Sequence, residues 1–84
     1  MAKVIVYSKP VCPYCDRAKA LLQEKNIAYT EVRVDQDPEA LALMMEKSGQ
    51  RTVPQIFIND RSIGGFDDLW ALEQAGELDP MLVD

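Results

Sequence analysis

Val4-Ile5-Val6-Tyr7-Ser8-Lys9-Pro10-Val11-Cys12-Pro13-Tyr14-Cys15 carries the two readings that decide the fold, a strand and the helix that follows it. Val4-Ile5-Val6-Tyr7 is apolar and β-branched, the pattern of a buried strand. Pro13 suits a first helical position, where its missing N–H would have had no partner, and this makes Cys12 the cap residue. The Cys12 sulfur then faces the free N–H groups of Tyr14 and Cys15. Those donors, with the positive end of the helix dipole, favour a thiolate and lower a cysteine pKa from about 8.5 to roughly 3.5–7.5. Cys12 is therefore the candidate nucleophile. Cys15 falls in register with Ala18 and Leu22 on the face turned toward the sheet, and reads as a shielded, resolving partner.

Two blander readings of the pair compete with a redox dithiol. A structural disulfide across two intervening residues closes too small a loop to remove much unfolded-state entropy. A zinc site needs four ligands, and the chain has no histidine and no third cysteine, so no metal ligands are assigned.

Eighty-four residues make one domain, 1–84, large enough to bury a core built from a single sheet and its helices. The apolar run at the start is too short for a signal peptide, and no stretch approaches the length of a membrane span. A cytoplasmic protein is expected, and in that compartment a close cysteine pair is more often catalytic than structural. A net charge of -5 argues against a nucleic-acid partner. The charge is unevenly spread: residues 1–30 carry Lys3, Lys9, Arg17, Lys19 and Lys25 against Asp16 and Glu24, whereas after Arg61 there are acids and no bases. Lys9, three positions before Cys12, is placed to assist both a thiolate and an anionic substrate, while Asp16 works the other way.

The rest of the chain reads as alternating elements. A helix of about 15–25 is followed by a strand at 29–35, with Thr30, Val32 and Val34 on one face and Glu31 and Arg33 on a wet one. The short span between the two strands implies a right-handed crossover and a parallel pair. Asp37 caps a second helix that starts on Pro38, buries Leu41, Met44 and Met45, and ends near Gly49. A third strand spans 52–58 with a proline at its beginning, Asn59-Asp60 makes a tight turn, and Arg61-Ser62-Ile63 pairs back antiparallel. After Gly64-Gly65, Asp67 or Asp68 caps a last helix with Leu69, Leu72 and Ala75 inside, ended by Gly76. The tail 78–82 packs as a closing turn. The order β, α, β, α, β, β, α is an α/β arrangement with one mixed four-stranded sheet flanked by three helices.

Cys-Pro-Tyr-Cys after the first strand, Thr52-Val53-Pro54 at the third and Gly64-Gly65-x-Asp67-Asp68 before the last helix make the chain resemble a small bacterial-type dithiol glutaredoxin over nearly its full length. The resemblance implies a thioredoxin-like fold with Pro54 in the cis form and its loop against the cysteine pair. It also implies reduction of glutathionylated proteins and of protein disulfides, with glutathione as co-substrate, no tightly bound cofactor, and the glutathione reductase system as an indirect partner. Carried over by position, Val53 pairs its main chain with the cysteinyl part of glutathione, within the Thr52-Val53-Pro54 loop. Lys9 and Tyr14 border the glycine end, with Arg51 as a third. The N–H groups of Phe66 and Asp67 meet the γ-glutamyl carboxylate, and Asp68 accepts from its ammonium. Plain helix capping is the alternative for Asp67 and Asp68. The chain departs from many members at Phe66, where a further cysteine is common, so no accessory thiol stands there.

Under this reading the protein is a monomer acting on glutathione and on disulfide-containing proteins, with no nucleic-acid or membrane partner. Two rivals are a thioredoxin-like reductant served by a flavin reductase, which Gly64-Gly65-Phe66-Asp67-Asp68 disfavours, and a carrier of an iron–sulfur cluster ligated by Cys12 and glutathione from two chains, which a stiff Pro13 disfavours.

Overall fold

Strand β1, Val4–Ser8, forms where the sequence places its apolar run; it lies inside the sheet with both edges paired, and a core cluster packs on each of its faces. The computed structural model describes residues 2–82. After β1 come α1 (Pro13–Glu24), β2 (Thr30–Arg33), α2 (Pro38–Ser48), β3 (Gln55–Ile58), β4 (Arg61–Gly64), α3 (Phe66–Gln74) and α4 (Leu78–Leu82). The sheet order is β2-β1-β3-β4. β1 pairs parallel with β2 and antiparallel with β3, and β3 with β4 antiparallel.

Alternation along β1 and β3 divides the core in two. Val4, Val6, Ile56 and Ile58 face α1, α3 and α4, meeting Ala18, Leu21, Leu22, Leu69 and Leu78. On the other face, Tyr7 and Phe57 pack against Met44 of α2 and Val34. The Tyr7 and Phe57 rings meet edge-on, with centroids 5.5 Å apart, worth about 0.5–1.5 kcal/mol beyond the area they bury. Fully burying a leucine such as Leu22 contributes roughly 1.5–3 kcal/mol. Helices thus cover both faces of the central strands, and the cysteine-bearing α1 is held by its Cys15, Ala18 and Leu22 stripe.

Several boundaries differ from the sequence reading, each for a local reason. The third strand does not begin at Thr52 or Pro54 but at Gln55, since proline has no N–H to give a ladder; the Val53–Pro54 bond is cis. The second strand is shorter than 29–35, although the Val34 N–H still donates to the Ser8 carbonyl at 3.0 Å. Thr30 is exposed at the beginning of this edge strand. The first helix starts at Pro13 with Cys12 as its cap, as the proline implies, and ends at Glu24. Asp37 and Gly49 cap α2 as expected, the latter in the left-handed region at φ +72°. The last long helix is capped by Gly65 rather than by Asp67 or Asp68, and Ala75 lies exposed at its end. The tail is a fourth, short helix, α4. It is held by buried Leu78 and by Lys25, whose ammonium reaches Glu73 and Asp79 at 2.9 Å each. No helix among the described residues is long and apolar enough to cross a membrane.

Candidate active site

The chain leaves the end of β1 and reaches Cys12 through three residues, Lys9-Pro10-Val11, the last of which has φ +53°. A β-branched residue rarely adopts that conformation, so the surrounding structure must hold it there. Cys12 follows in extended geometry (φ -133°, ψ 97°) as the cap of α1, with Pro13 in the first turn. Its Sγ accepts the Cys15 N–H at 3.2 Å, and its carbonyl accepts the Asp16 N–H at 3.0 Å. The same Cys15 N–H, aligned with the α1 dipole, is placed to stabilise a thiolate when the pair is reduced. Cys12 and Cys15 are joined as a disulfide, with their Cα atoms 5.2 Å apart. Cys15 is wholly enclosed under the sheet, whereas Cys12 retains 7% exposure at the rim. Attack from outside can therefore begin only at Cys12.

Opposite the pair lies the loop 52–54. The Val53 carbonyl oxygen stands 3.9 Å from Cys12 Sγ. Buried Gln55 anchors this loop from behind, its Nε2 donating to the Thr52 carbonyl at 3.0 Å and facing Thr52 Oγ1 at 3.3 Å. Gln55 Oε1 is buried and has no protein partner. That side chain was invisible in the sequence as anything but strand; its only signal is an amide inside an otherwise apolar run.

A groove of about 240 Å³ runs beside the loop to the start of α3. Its walls bring together Tyr14, Thr52, Val53, Pro54, Phe66, Asp67 and Asp68, with Gly65 of the same motif and with Gln50 and Gln55, which the sequence had not singled out. Lys9 and Arg51 lie elsewhere: they line a second hollow of about 420 Å³ that also takes in Val34, Asp35 and Leu41. Thr52 and Val53 line both hollows, so Lys9 and Tyr14 do not share a cavity. Asp68 points back, its Oδ2 accepting the Gly65 N–H at 3.0 Å. The N–H groups of the first turn of α3 are left for a ligand or water.

Behind β1, the enclosed Ser8 hydroxyl donates to Glu31 Oε2 at 2.6 Å, and Lys19 of α1 reaches the same oxygen at 2.9 Å. The Ser8 hydroxyl and then Lys19 hold the Glu31 carboxyl below its usual range, and the bond to Glu31 raises the Lys19 ammonium. This latch ties α1 to β2 at the end of the sheet where the cysteines lie. Sequence alone had placed Glu31 on a wet face.

Comparison with known proteins converges on one family. The glutaredoxin family model matches residues 4–63. Glutaredoxin 3 of Escherichia coli K12 is 50% identical over 82 residues, covering 98% of this chain and 99% of the relative. A glutaredoxin of Neisseria meningitidis serogroup A is 51% identical over 83 residues, 98% of each. Among solved structures, the solution structure of glutaredoxin from Brucella melitensis superposes with a TM-score of 0.85 at 51% identity, covering 98% of this chain and 89% of the other. The crystal structure of a buckwheat glutaredoxin–glutathione complex gives 0.87 at 36% identity, covering 94% and 74%. A cysteine pair at the tip of α1, in a thioredoxin-like fold shared with relatives half identical in sequence, places this chain in the glutaredoxin family of thiol–disulfide oxidoreductases.

Proposed function

We propose that the protein is a glutathione-dependent oxidoreductase that reduces glutathionylated proteins through Cys12 alone and protein disulfides through Cys12 and Cys15 together. The observation that carries this reading is the groove that joins the Val53 main chain, beside Cys12, to the first turn of α3. Glutathione is a peptide-like anion. Its cysteinyl portion would pair with Val53 as an added strand does, and its γ-glutamyl carboxylate would meet the N–H groups of Phe66 and Asp67. The buckwheat relative, solved as a glutaredoxin–glutathione complex, supports the same assignment.

In the one-cysteine cycle the Cys12 thiolate attacks the glutathione sulfur of a glutathionylated protein. A sulfur–sulfur bond forms to Cys12, and the protein leaves as a thiolate that takes up a proton. A second glutathione thiolate then attacks that glutathione sulfur, freeing Cys12 and leaving as glutathione disulfide. With a substrate disulfide, Cys12 forms a mixed disulfide and releases one substrate thiol. Cys15 then attacks Cys12 Sγ and releases the other, so two electrons pass from the pair to the substrate. Two glutathione molecules restore the pair.

A cysteine pKa lowered by a helix N-terminus would serve this cycle mainly on departure. Lowering it by about three units raises the thiolate fraction at pH 7 roughly thirtyfold, but a Brønsted slope of about 0.4–0.5 returns some fifteen- to thirtyfold in nucleophilicity. The gain lies in Cys12 as a leaving group and in orientation of the sulfurs within the groove.

Lys9 and Arg51, in the neighbouring hollow, would act on the glycine carboxylate from across the Thr52–Val53 ridge, and Tyr14 from the groove side. The protein would work as a cytoplasmic monomer, with glutathione reductase regenerating its reductant. The deciding experiment supplies electrons to a disulfide substrate either through glutathione with its reductase or through thioredoxin reductase. Turnover with the first and none with the second is expected, and the reverse would overturn the proposal.

A further inference from the structure

Gln55 is the exception in its strand. All four residues of β3 are buried, and its companions Ile56, Phe57 and Ile58 are apolar. By the alternation of a strand, Gln55 shares the face of Phe57, which packs toward α2, and it lies opposite Tyr7 in the ladder with β1. An apolar side chain would fill that position with no polar group to satisfy, whereas this amide is 1% exposed and its Oε1 has no protein partner. Core packing therefore does not account for an amide here, and what the amide does is done by its Nε2 end.

That end meets the loop 52–54. Nε2 donates to the Thr52 carbonyl at 3.0 Å, with Thr52 Oγ1 at 3.3 Å and Gln50 Oε1 at 3.4 Å beside it. The Thr52 carbonyl and the Val53 N–H belong to one planar peptide unit, and in a trans unit the oxygen and the hydrogen point in opposite directions. The cis bond lies one unit further on, at Val53–Pro54. Drawing the Thr52 oxygen inward onto Gln55 thus turns the Val53 N–H outward. Among the described residues that N–H donates to no backbone acceptor, while the Val53 carbonyl stands 3.9 Å from Cys12 Sγ. A hydrogen bond accepted at one end of a peptide unit also polarises it and strengthens the donor at the other. The opposite wall of the groove is held by packing instead, Phe66 stacking on Trp70 with ring centroids 6.2 Å apart at 22°. Thr52 is exposed, and Gln55 is what orients its peptide from inside.

We propose that Gln55 is a positioning residue for thiol–disulfide exchange: by holding the Thr52–Val53 peptide unit it aims the Val53 N–H at the carbonyl of the substrate cysteine, and so favours disulfides whose cysteine lies within a peptide. A glutathionyl group and a protein share that main chain, so the proposal rests on Cys12 as the attacking sulfur and not on glutathione as the reductant. The exchange is the one already described: the Cys12 thiolate bonds to one substrate sulfur, and the other leaves as a thiolate that takes up a proton.

The test is a single turnover of the pre-reduced protein, with no glutathione present, on two small disulfides. One is the disulfide of N-acetylcysteine N-methylamide, which has a peptide group on either side of its cysteine and neither charged end of glutathione. The other is hydroxyethyl disulfide, which has no peptide group. Gln55→Met removes the donor and keeps an unbranched side chain of similar length. It is expected to slow the capped-cysteine disulfide about three- to tenfold, the range of one lost hydrogen bond, and to leave the hydroxyethyl disulfide rate and the Tm close to those of the parent. Equal slowing of both disulfides, or of neither, would overturn the proposal. A second measurement leaves Gln55 in place. In isotope-labelled Cys15→Ser protein trapped as a mixed disulfide at Cys12, the Gln55 side-chain amide protons should resonate further downfield with capped cysteine attached than with mercaptoethanol attached, because a peptide unit engaged at its N–H accepts more strongly at its oxygen. Identical resonances in the two adducts would overturn the proposal as well, whether or not Gln55→Met folds.

Discussion

Asp68 occupies the space that Gly64 leaves empty. A Cβ built on Gly64 would fall 2.7 Å from Asp68 Cγ, and Gly64 holds φ +115°, a conformation that side-chain-bearing residues rarely adopt. The carboxylate thus packs on bare backbone while its Oδ2 accepts the Gly65 N–H at 3.0 Å, so the start of α3 and the turn before it are built as one piece. Gly64→Ala is expected to destabilise the protein by about 1–3 kcal/mol. In Gly64→Ala/Asp68→Ala the contacts with the carboxylate are gone and only the tight 3.0 Å approach to the Cβ of residue 68 remains, so the double variant should lose less than the sum of the two single variants. A denaturant-melt cycle measures this, and strict additivity would show that the two residues do not meet.

The same carboxylate separates capping from recognition. A hydrogen bond to a charged group is worth roughly 1.5–3 kcal/mol, and an exposed one less, so Asp68→Ala should lower glutathione-dependent turnover by about tenfold. The single-turnover rate with hydroxyethyl disulfide should barely change. Should both rates fall together, or the melting temperature drop enough to account for the loss, Asp68 is a cap alone.

Unequal burial predicts unequal cysteines. Cys12→Ser should abolish all thiol–disulfide exchange, because Cys15 has no exposure through which a substrate could reach it. Cys15→Ser should retain removal of glutathione from proteins and lose reduction of internal disulfides. Both activities are read on the same preparations, and equal losses in the two variants would contradict the assignment.

Glu31 predicts the acid limb of stability. The Ser8 hydroxyl, then Lys19, holds its folded-state pKa below the ordinary 4.5. Its contribution is therefore fully present above about pH 4.5 and is lost as pH falls through the lowered folded value. Because the pair is partly open to solvent, that contribution is roughly 0.2–1 kcal/mol. Glu31→Gln should be less stable than the parent at pH 7, with the gap closing in acid. Urea melts between about pH 7 and 3 test this, and a gap that widens in acid would reverse the sign argued here.

Much of the fold could be read from residues that act on their own backbone. Pro13 marked the start of α1 and left Cys12 as its cap; Asp37, Pro38 and Gly49 bounded α2; the apolar runs marked β1 and β3. The reading slipped where a remote contact decides. Asp67 and Asp68 suggested a side-chain cap, but the left-handed Gly64 lets Gly65 take that position and turns Asp68 back upon it. Within the groove, the residues on the 52–54 loop and on α3 come together, while Lys9 and Arg51 fall across the ridge, a separation set by how the loop sits between β1 and α3 rather than by spacing along the chain. Val32 and Val34 suggested a buried face, but nothing in the local pattern shows that Ser8 and Lys19 would reach Glu31 across two elements.

Trp70 is the chain's only tryptophan, and it is stacked on a groove residue rather than buried in either core. Its emission is therefore a native optical probe of the active-site rim. Light from a half-solvated indole shifts little when the sheet melts, so fluorescence will under-report global unfolding that circular dichroism sees clearly. It will respond instead to what arrives at Phe66, giving binding titrations and stopped-flow traces without any added label.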